Sequence, residues 1–248
     1  MEQTLQNRTA LVTGAARRIG RGIAMALAEA GADVVVHYRG SRDDAERTAE
    51  EIRRLGRRAW CLCADLADAS QAAGLMAEAI AAAGPVSILV NDASSFPSDT
   101  IADASCQDIQ QSMQVHALSP LVLARGLAGQ DLPAGDVVNM LDSRIEDYDR
   151  LHASYHLGKR MLFTITRMLA LELAPRVKVN AVAPGLVLPP EGKDEGYLAS
   201  LAHTNPLGRV GSVEAVAAAV RQLVESDFIT GQVIYVDGGR HMRGCVYG

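Results

Sequence analysis

Short runs rich in β-branched residues alternate along the chain with Ala/Leu-rich stretches whose apolar residues recur at helical spacing. Thr9–Thr13 predicts a strand, and Ile19–Ala30 a helix stopped by Gly31. Asp33–Tyr38, with Val34-Val35-Val36 at its centre, predicts a buried strand, and Asp43–Leu55 a charged helix with Ala45, Ala49, Ile52 and Leu55 on one face. The rhythm continues through strand Ala59–Ala64, helix Ser70–Ala83, strand Ser87–Asn91, helix Cys106–Ala128, strand Asp136–Leu141 and helix Ala153–Leu173. Strands at Val177–Val182 and Gln232–Val236 close the series. Strands apolar on both faces, alternating with helices, imply a parallel sheet covered on both sides and joined by right-handed crossovers. Between Pro184 and Gly211 the rhythm breaks, with four prolines, Glu191-Gly192-Lys193 and one short helical stretch near Tyr197–Ala202. A long irregular segment inside an α/β domain is expected to be a substrate loop.

The 248 residues suit one large domain, and no linker, low-complexity tract or repeat divides residues 1–248. A net charge of −5 argues against nucleic-acid binding and against attraction to anionic membranes. No apolar run approaches a membrane span, and the N-terminus has no apolar signal core. Cys61, Cys63, Cys106 and Cys245 form no CxxC pair and no metal-like spacing with His, so a reduced, cytoplasmic protein without metal is expected.

The first predicted strand runs into Thr13-Gly14-Ala15-Ala16-Arg17-Arg18-Ile19-Gly20, where a helix begins. Gly14 permits a sharp turn, Gly20 permits close helix–sheet packing, and the helix N-terminus presents free N–H groups to a pyrophosphate. The arrangement points to a Rossmann-like, doubly wound domain, although the literal GxGxxG string is absent. The second strand ends in His37-Tyr38-Arg39-Gly40-Ser41, without the acidic residue that pairs with a free ribose 2′-OH. Arg17 and Arg39 suit a 2′-phosphate instead, so NADP(H) is expected over NAD(H); the bland alternative is that both arginines are merely solvated. Asp65 and Leu66, ending the third strand, stand where an adenine edge would be read.

These motifs resemble the short-chain dehydrogenase/reductase family over nearly the whole chain. Thr13–Gly20 is similar to its cofactor turn, Asn91-Asp92-Ala93-Ser94 to its Asn-Asn-Ala-Gly segment, and Tyr155-His156-Leu157-Gly158-Lys159 to its YxxxK signature. Pro184-Gly185 and Asp237-Gly238-Gly239 fall where the family has its late PG and DGG elements. Arg17-Arg18, His37-Tyr38-Arg39, Ala93-Ser94-Ser95-Phe96, Gln114-Val115-His116 and Gly238–Arg243 resemble the pteridine reductase and dihydromonapterin reductase branch. So does Asp142, thirteen residues before Tyr155, where the wider family usually has Ser. Two positions depart from the wider pattern: Asp92 replaces an Asn, and His116 replaces an Asn linked to a proton relay. The resemblance implies cofactor contacts from Gly14, Arg17, Ile19, Gly20, Tyr38, Arg39, Asp65, Leu66, Asp92, Ala93, Ser94, Met140, Tyr155, Lys159, Pro184, Gly185 and Leu186. It implies pterin contacts from Ser94, Phe96, Asp142, Tyr155 and Pro184. It also implies a homotetramer, with the tail carrying Arg243 reaching a neighbour's site.

The chemistry fits that list. Tyr155 and Lys159 share a helix face, and the ammonium is expected to lower the Tyr pKa from ~10 and make Tyr155 a general acid. By resemblance, Lys159 also holds the nicotinamide ribose. Asp142 ends the fifth strand, at the sheet edge where such folds bind ligands. A carboxylate there suits a ring with N–H and amino donors and disfavours a developing oxyanion. A one-residue slip would present Ser143 instead, because strand side chains alternate. Phe96 is expected to stack on a flat heterocycle or, equally simply, to pack on the substrate loop. Trp60 and Tyr235 are expected in the core, Met168, Leu171 and Leu173 in the core or a subunit contact, and Cys61 and Cys63 as packing residues. The expected reaction is NADPH-dependent reduction of a 7,8-dihydropterin, such as dihydromonapterin or dihydrobiopterin, with weak dihydrofolate reduction as a side activity. The alternatives are a ketone or 3-oxoacyl-thioester reductase, which needs Ser143 at the site, and a non-catalytic NADP-binding regulator.

Overall fold

A computed structural model describes residues 4–147, 150–190 and 192–242. Its strands are β1 Thr9–Thr13, β2 Asp33–Tyr38, β3 Ala59–Cys63, β4 Ile88–Asn91, β5 Gly135–Met140, β6 Val177–Pro184 and β7 Val233–Val236. They pair in the order β3-β2-β1-β4-β5-β6-β7, every pair parallel. The helices are α1 Arg18–Glu29, α2 Arg42–Arg54, α3 Ala69–Ala83, α4 Cys106–Met113, α5 Ser119–Ala128, α6 Ala153–Glu172, α7 Glu195–Leu201 and α8 Val213–Glu225. Alternate strand residues feed two apolar layers. Val12, Val34, Val36, Ile88, Val90 and Val138 pack against α1, α2 and α8, while Leu11, Val35, Leu89, Val137 and Val179 pack against α3, α5 and α6. This is the doubly wound sheet expected from the pattern, with its strand order reversing between β1 and β4, the place where such sheets bind ligands.

Five local features differ from the sequence reading or narrow it. The stretch read as one helix over Cys106–Ala128 contains a π turn at Gln114–Leu118 between α4 and α5, an extra residue of the kind that re-aims side chains at functional sites. α8 lies in a stretch to which that reading assigns no helix. Trp60 and Tyr235 are only half-buried, because β3 and β7 are the sheet edges and lack a neighbour on one side. Met168 and Leu171 are 61% and 85% exposed on α6, which removes them from the core, whereas Leu173 packs partly against it. Cys63, likewise on the β3 edge, is exposed rather than packed, and Cys61 is half-buried. Among the described residues no helix is long and apolar enough to cross a membrane.

Candidate active site

At the carboxyl ends of β1, β2 and β3 lies a cleft of about 530 Å³ lined by Gly14, Arg17, Arg18, Ile19, Tyr38, Arg39, Asp65, Leu66, Asp92, Ala93 and Ser94, among others. The turn that opens it is held by backbone geometry. Gly14 has φ +69°, and a Cβ there would lie 3.0 Å from the Ala93 Cα. At Gly20 a Cβ would lie 2.5 Å from the Gly14 carbonyl oxygen and 2.7 Å from an Asp92 carboxylate oxygen, so only glycine fits without a shift. The buried His37 ring ties the turn to the sheet. Its Nδ1 accepts from the Gly14 N–H at 3.1 Å, and its Nε2–H donates to the Ala64 carbonyl at 3.1 Å. Burial lowers its pKa to about 4, so the ring stays neutral. Thr13 Oγ1 accepts the N–H groups of Asp92 and Ala93, both at 3.0 Å, and joins β1 to the segment after β4.

These residues fit a dinucleotide carrying a 2′-phosphate. Arg17 and Arg39 are both exposed at the rim, and no carboxylate ends β2. Arg17 faces Asp44 at 3.7 Å, an open pair that a phosphate would displace at small cost. Arg18, absent from the sequence-derived list, lines the same cleft, adopts φ +57°, and reaches across to the Pro189 carbonyl at 2.7 Å. It thereby ties the cofactor turn to the loop expected to cover the substrate. Its left-handed backbone has no signal in a residue type that rarely adopts it.

Further along the edge, the side chains are wired to one another. Asn91 Nδ2–H donates to Asn139 Oδ1 at 2.8 Å, Asn139 Nδ2–H to Thr166 Oγ1 at 2.9 Å, and Thr166 to the Leu162 carbonyl at 2.7 Å. This buried chain fastens α6 to β4 and β5. The start of α6 is fastened from the other side. Asp99 takes the Ala153 N–H on its carbonyl and the Ser154 N–H on its carboxylate, both at 3.2 Å. The first turn of α6 therefore delivers Tyr155 to a fixed place, and Lys159 follows one turn on.

Tyr155 O–H donates to Asp142 Oδ2 at 2.9 Å. The other Asp142 oxygen takes the Arg144 N–H at 2.7 Å, which holds the carboxylate in place. It is Asp142, not Ser143, that bonds the Tyr155 hydroxyl; Ser143 is 2% exposed, with its N–H on the Pro184 carbonyl at 3.0 Å. Lys159 Nζ donates to the Met140 carbonyl at 2.6 Å. Met140 itself, expected as a cofactor contact, turns its side chain into the core and offers this carbonyl instead. Burial lowers the Lys159 pKa to about 8, against the pull of the Asp92 and Asp142 carboxylates. Burial raises Asp92 to about 6, against the opposing charge of Lys159.

The expectation for Tyr155 is reversed. Burial first, and then the charge and hydrogen bond of Asp142, hold its pKa well above the usual tyrosine value. The Lys159 ammonium is 5.8 Å from the ring centroid and does not offset them. Tyr155 is thus a neutral phenol that keeps its proton. Phe96, 48% exposed, stacks on His152 with ring centroids 3.7 Å apart and meets the Tyr155 ring edge-on at 4.8 Å. Among the described residues its aromatic partners are these two rings. Pro184 and Gly185 end β6 beside Asp142, where a Cβ on Gly185 would strike Asp237 at 2.7 Å. Leu186 lines a second cavity, beside β7, and not the cofactor cleft. Glu191 and Arg243 lie outside the described residues.

A family model described as enoyl-(acyl carrier protein) reductase matches residues 14–241. The chain belongs to the short-chain dehydrogenase/reductase family. An uncharacterized oxidoreductase of Mycobacterium tuberculosis is 35% identical over 95% of the chain and 92% of its own length. A 3-oxoacyl-[acyl-carrier-protein] reductase, FabG, of Staphylococcus epidermidis is 31% identical over 95% of this chain and all of its own. Among solved structures, FolM alternative dihydrofolate reductase 1 from Brucella canis, complexed with NADP, is 36% identical with a TM-score of 0.89, covering 97% of this chain and 96% of that one.

Proposed function

We propose that the protein is an NADPH-dependent reductase of a pterin ring, converting a 7,8-dihydropterin to its tetrahydro form. The observation that carries this reading is the 2.9 Å hydrogen bond from Tyr155 to Asp142. A carboxylate beside the proton donor repels an oxyanion but accepts from ring N–H and amino groups. Each Asp142 oxygen accepts one hydrogen bond, from the Arg144 N–H and from Tyr155, and each has a lone pair left for a substrate donor. A donor group of the substrate that engages Asp142 weakens its hold on the phenol and lets Tyr155 turn its proton toward the ring nitrogen being reduced. The bound cofactor supplies the hydride. Arg17 and Arg39 would select its 2′-phosphate and Lys159 would hold its ribose, while the half-exposed Phe96 ring, one face of which is taken by His152, would offer a flat heterocycle its remaining surface. The likeness to FolM alternative dihydrofolate reductase 1 supports the same reading.

The likeness to FabG favours a second reading, reduction of a 3-oxoacyl thioester. The deciding assay follows NADPH oxidation by purified protein with dihydromonapterin, dihydrobiopterin, dihydrofolate and an acetoacetyl thioester, and NADH in parallel. Dihydropterin turnover with NADPH preferred is expected. Turnover of the thioester alone overturns the pterin reading and leaves the family assignment standing.

A further inference from the structure

Within the π turn, His116 is 1% exposed and lies beneath the segment that carries Ser94, Ser95 and Phe96. Its Nε2 lies 3.2 Å from the Ser95 N–H and 3.0 Å from the Ser94 hydroxyl. A backbone N–H only donates, so Nε2 is an acceptor and the ring hydrogen sits on Nδ1. Nδ1 lies 3.0 Å from the Ser112 hydroxyl, one helical turn back. The ring meets Tyr155 edge-on with centroids 5.2 Å apart. Space for it comes from Gly158, where a Cβ would lie 3.0 Å from the His116 Cβ, from its Nδ1 and from the Ser112 carbonyl oxygen. Both ring nitrogens are therefore committed. The far end of the same segment is tied separately, by His152 Nδ1 to the Pro97 carbonyl at 2.6 Å and by Asp99 to the start of α6.

We propose that His116 is a positioning residue: through the hydrogen bond that its Nε2 accepts from the Ser95 N–H, it sets the placement of the 94–96 segment over Tyr155, and it carries no proton during turnover. A relay role fits poorly, because accepting a proton at Nε2 would set two donors against each other. Burial and the Lys159 charge lower the His116 pKa to about 3, against backbone hydrogen bonds at Ser112 and Ser95 that raise it. The proposal rests on Tyr155 as proton donor and not on the pterin reading, so the two fail separately.

The test compares His116→Gln, His116→Asn and His116→Ala. The Gln side-chain oxygen reaches the position of Nε2, while the Asn amide matches only the Nδ1 edge. The readouts are the dissociation constant for NADPH, kcat and KM for 7,8-dihydrobiopterin (acetoacetyl-coenzyme A if only the thioester is turned over), and the pH profile of kcat/KM. In His116→Ala and His116→Asn, kcat/KM should fall on the order of tenfold to a hundredfold, mainly through KM, because a loosened segment misplaces the substrate. NADPH affinity should stay within about twofold, and His116→Gln should recover most of the loss with unchanged pH limbs. Recovery by Asn and not Gln would overturn the proposal, as would equal behaviour of the two, loss of a pH limb in His116→Gln, or a parallel loss of NADPH affinity. If His116→Ala does not fold, the Gln–Asn comparison still decides.

Discussion

At the β1–β3 end of the cleft, a ligand meets backbone and exposed arginines. Beyond the cleft, at the carboxyl ends of β4 to β6, lie buried side chains bonded to one another. The first region is shaped by what is missing: no Cβ at Gly14 or Gly20 and no acid after β2. Its charged groups are rim groups that solvent screens. The second region depends on groups whose pKa values burial has moved, namely Tyr155, Lys159 and Asp92. The difference is one of cost. A rim group can be lost with a modest change in affinity, whereas loss of one member of a buried network leaves its partners unsatisfied.

The largest expected effect is at Tyr155. Tyr155→Phe removes the hydroxyl proposed as proton donor but keeps the ring that packs against Phe96 and His116. Turnover should fall by about 10²–10⁴-fold, the usual worth of a positioned acid, with NADPH affinity nearly unchanged. A variant that keeps more than a tenth of wild-type turnover would show that water supplies the proton.

Next is Asp142→Ser. Under the pterin reading, kcat/KM for dihydropterins should drop on the order of a hundredfold, while any thioester reduction holds or rises. The same change has a pH signature. Asp142 raises the Tyr155 pKa, so its removal should move any basic limb set by Tyr155 to lower pH. An upward shift or an unmoved limb, measured in kcat/KM against pH, would mean that Asp142 does not act on the phenol.

A smaller effect belongs to the other region. Arg39→Ala should weaken NADPH binding about tenfold and leave NADH binding alone, and the double change with Arg17→Ala should extend the loss. The wild-type preference should shrink with added salt, as expected of exposed pairs. Equal weakening toward both cofactors would assign these arginines to the shared pyrophosphate.

Sequence reading reached these two regions unequally. β-branched runs and helical spacing located all seven strands, because burial on both faces leaves a continuous apolar signature. Tyr155 and Lys159 share a helix face by their spacing, but Asp142 over Ser143 was legible only through the resemblance to the pteridine reductase branch. Arg18 was not legible, since left-handed backbone at an arginine follows from the tertiary turn. The π turn at His116 was hidden in an uninterrupted helical pattern, and the opposite pull on the Tyr155 pKa depends on burial that spacing does not encode. Trp60 misled for a related reason. Periodicity marks a residue as apolar, but only the sheet order and helix packing decide whether anything covers it.

The smallest predicted effect separates the regions by stability. His37 and His116 are both buried and neutral, one on each side of the cleft, with pKa values lowered to about 4 and about 3. A histidine with a lowered folded pKa stabilises fully above its unfolded value of 6.5 and loses that contribution as pH falls toward the folded value. From pH 7 to pH 6 the unfolded chain gains protons that the buried rings refuse, costing under about 1 kcal/mol for each. Asp92 acts in the opposite sense. Its raised pKa of about 6 gives stability that is present at low pH and lost as pH rises through that value, which offsets part of the histidine loss over the same interval. The net expected loss is about 1 kcal/mol, measured as the difference in urea unfolding free energy between pH 7 and pH 6. His116→Gln should remove the contribution of the catalytic side and leave that of His37, so the pH dependence should fall by more than half. An unchanged slope in that variant would place the acid sensitivity entirely in the cofactor turn.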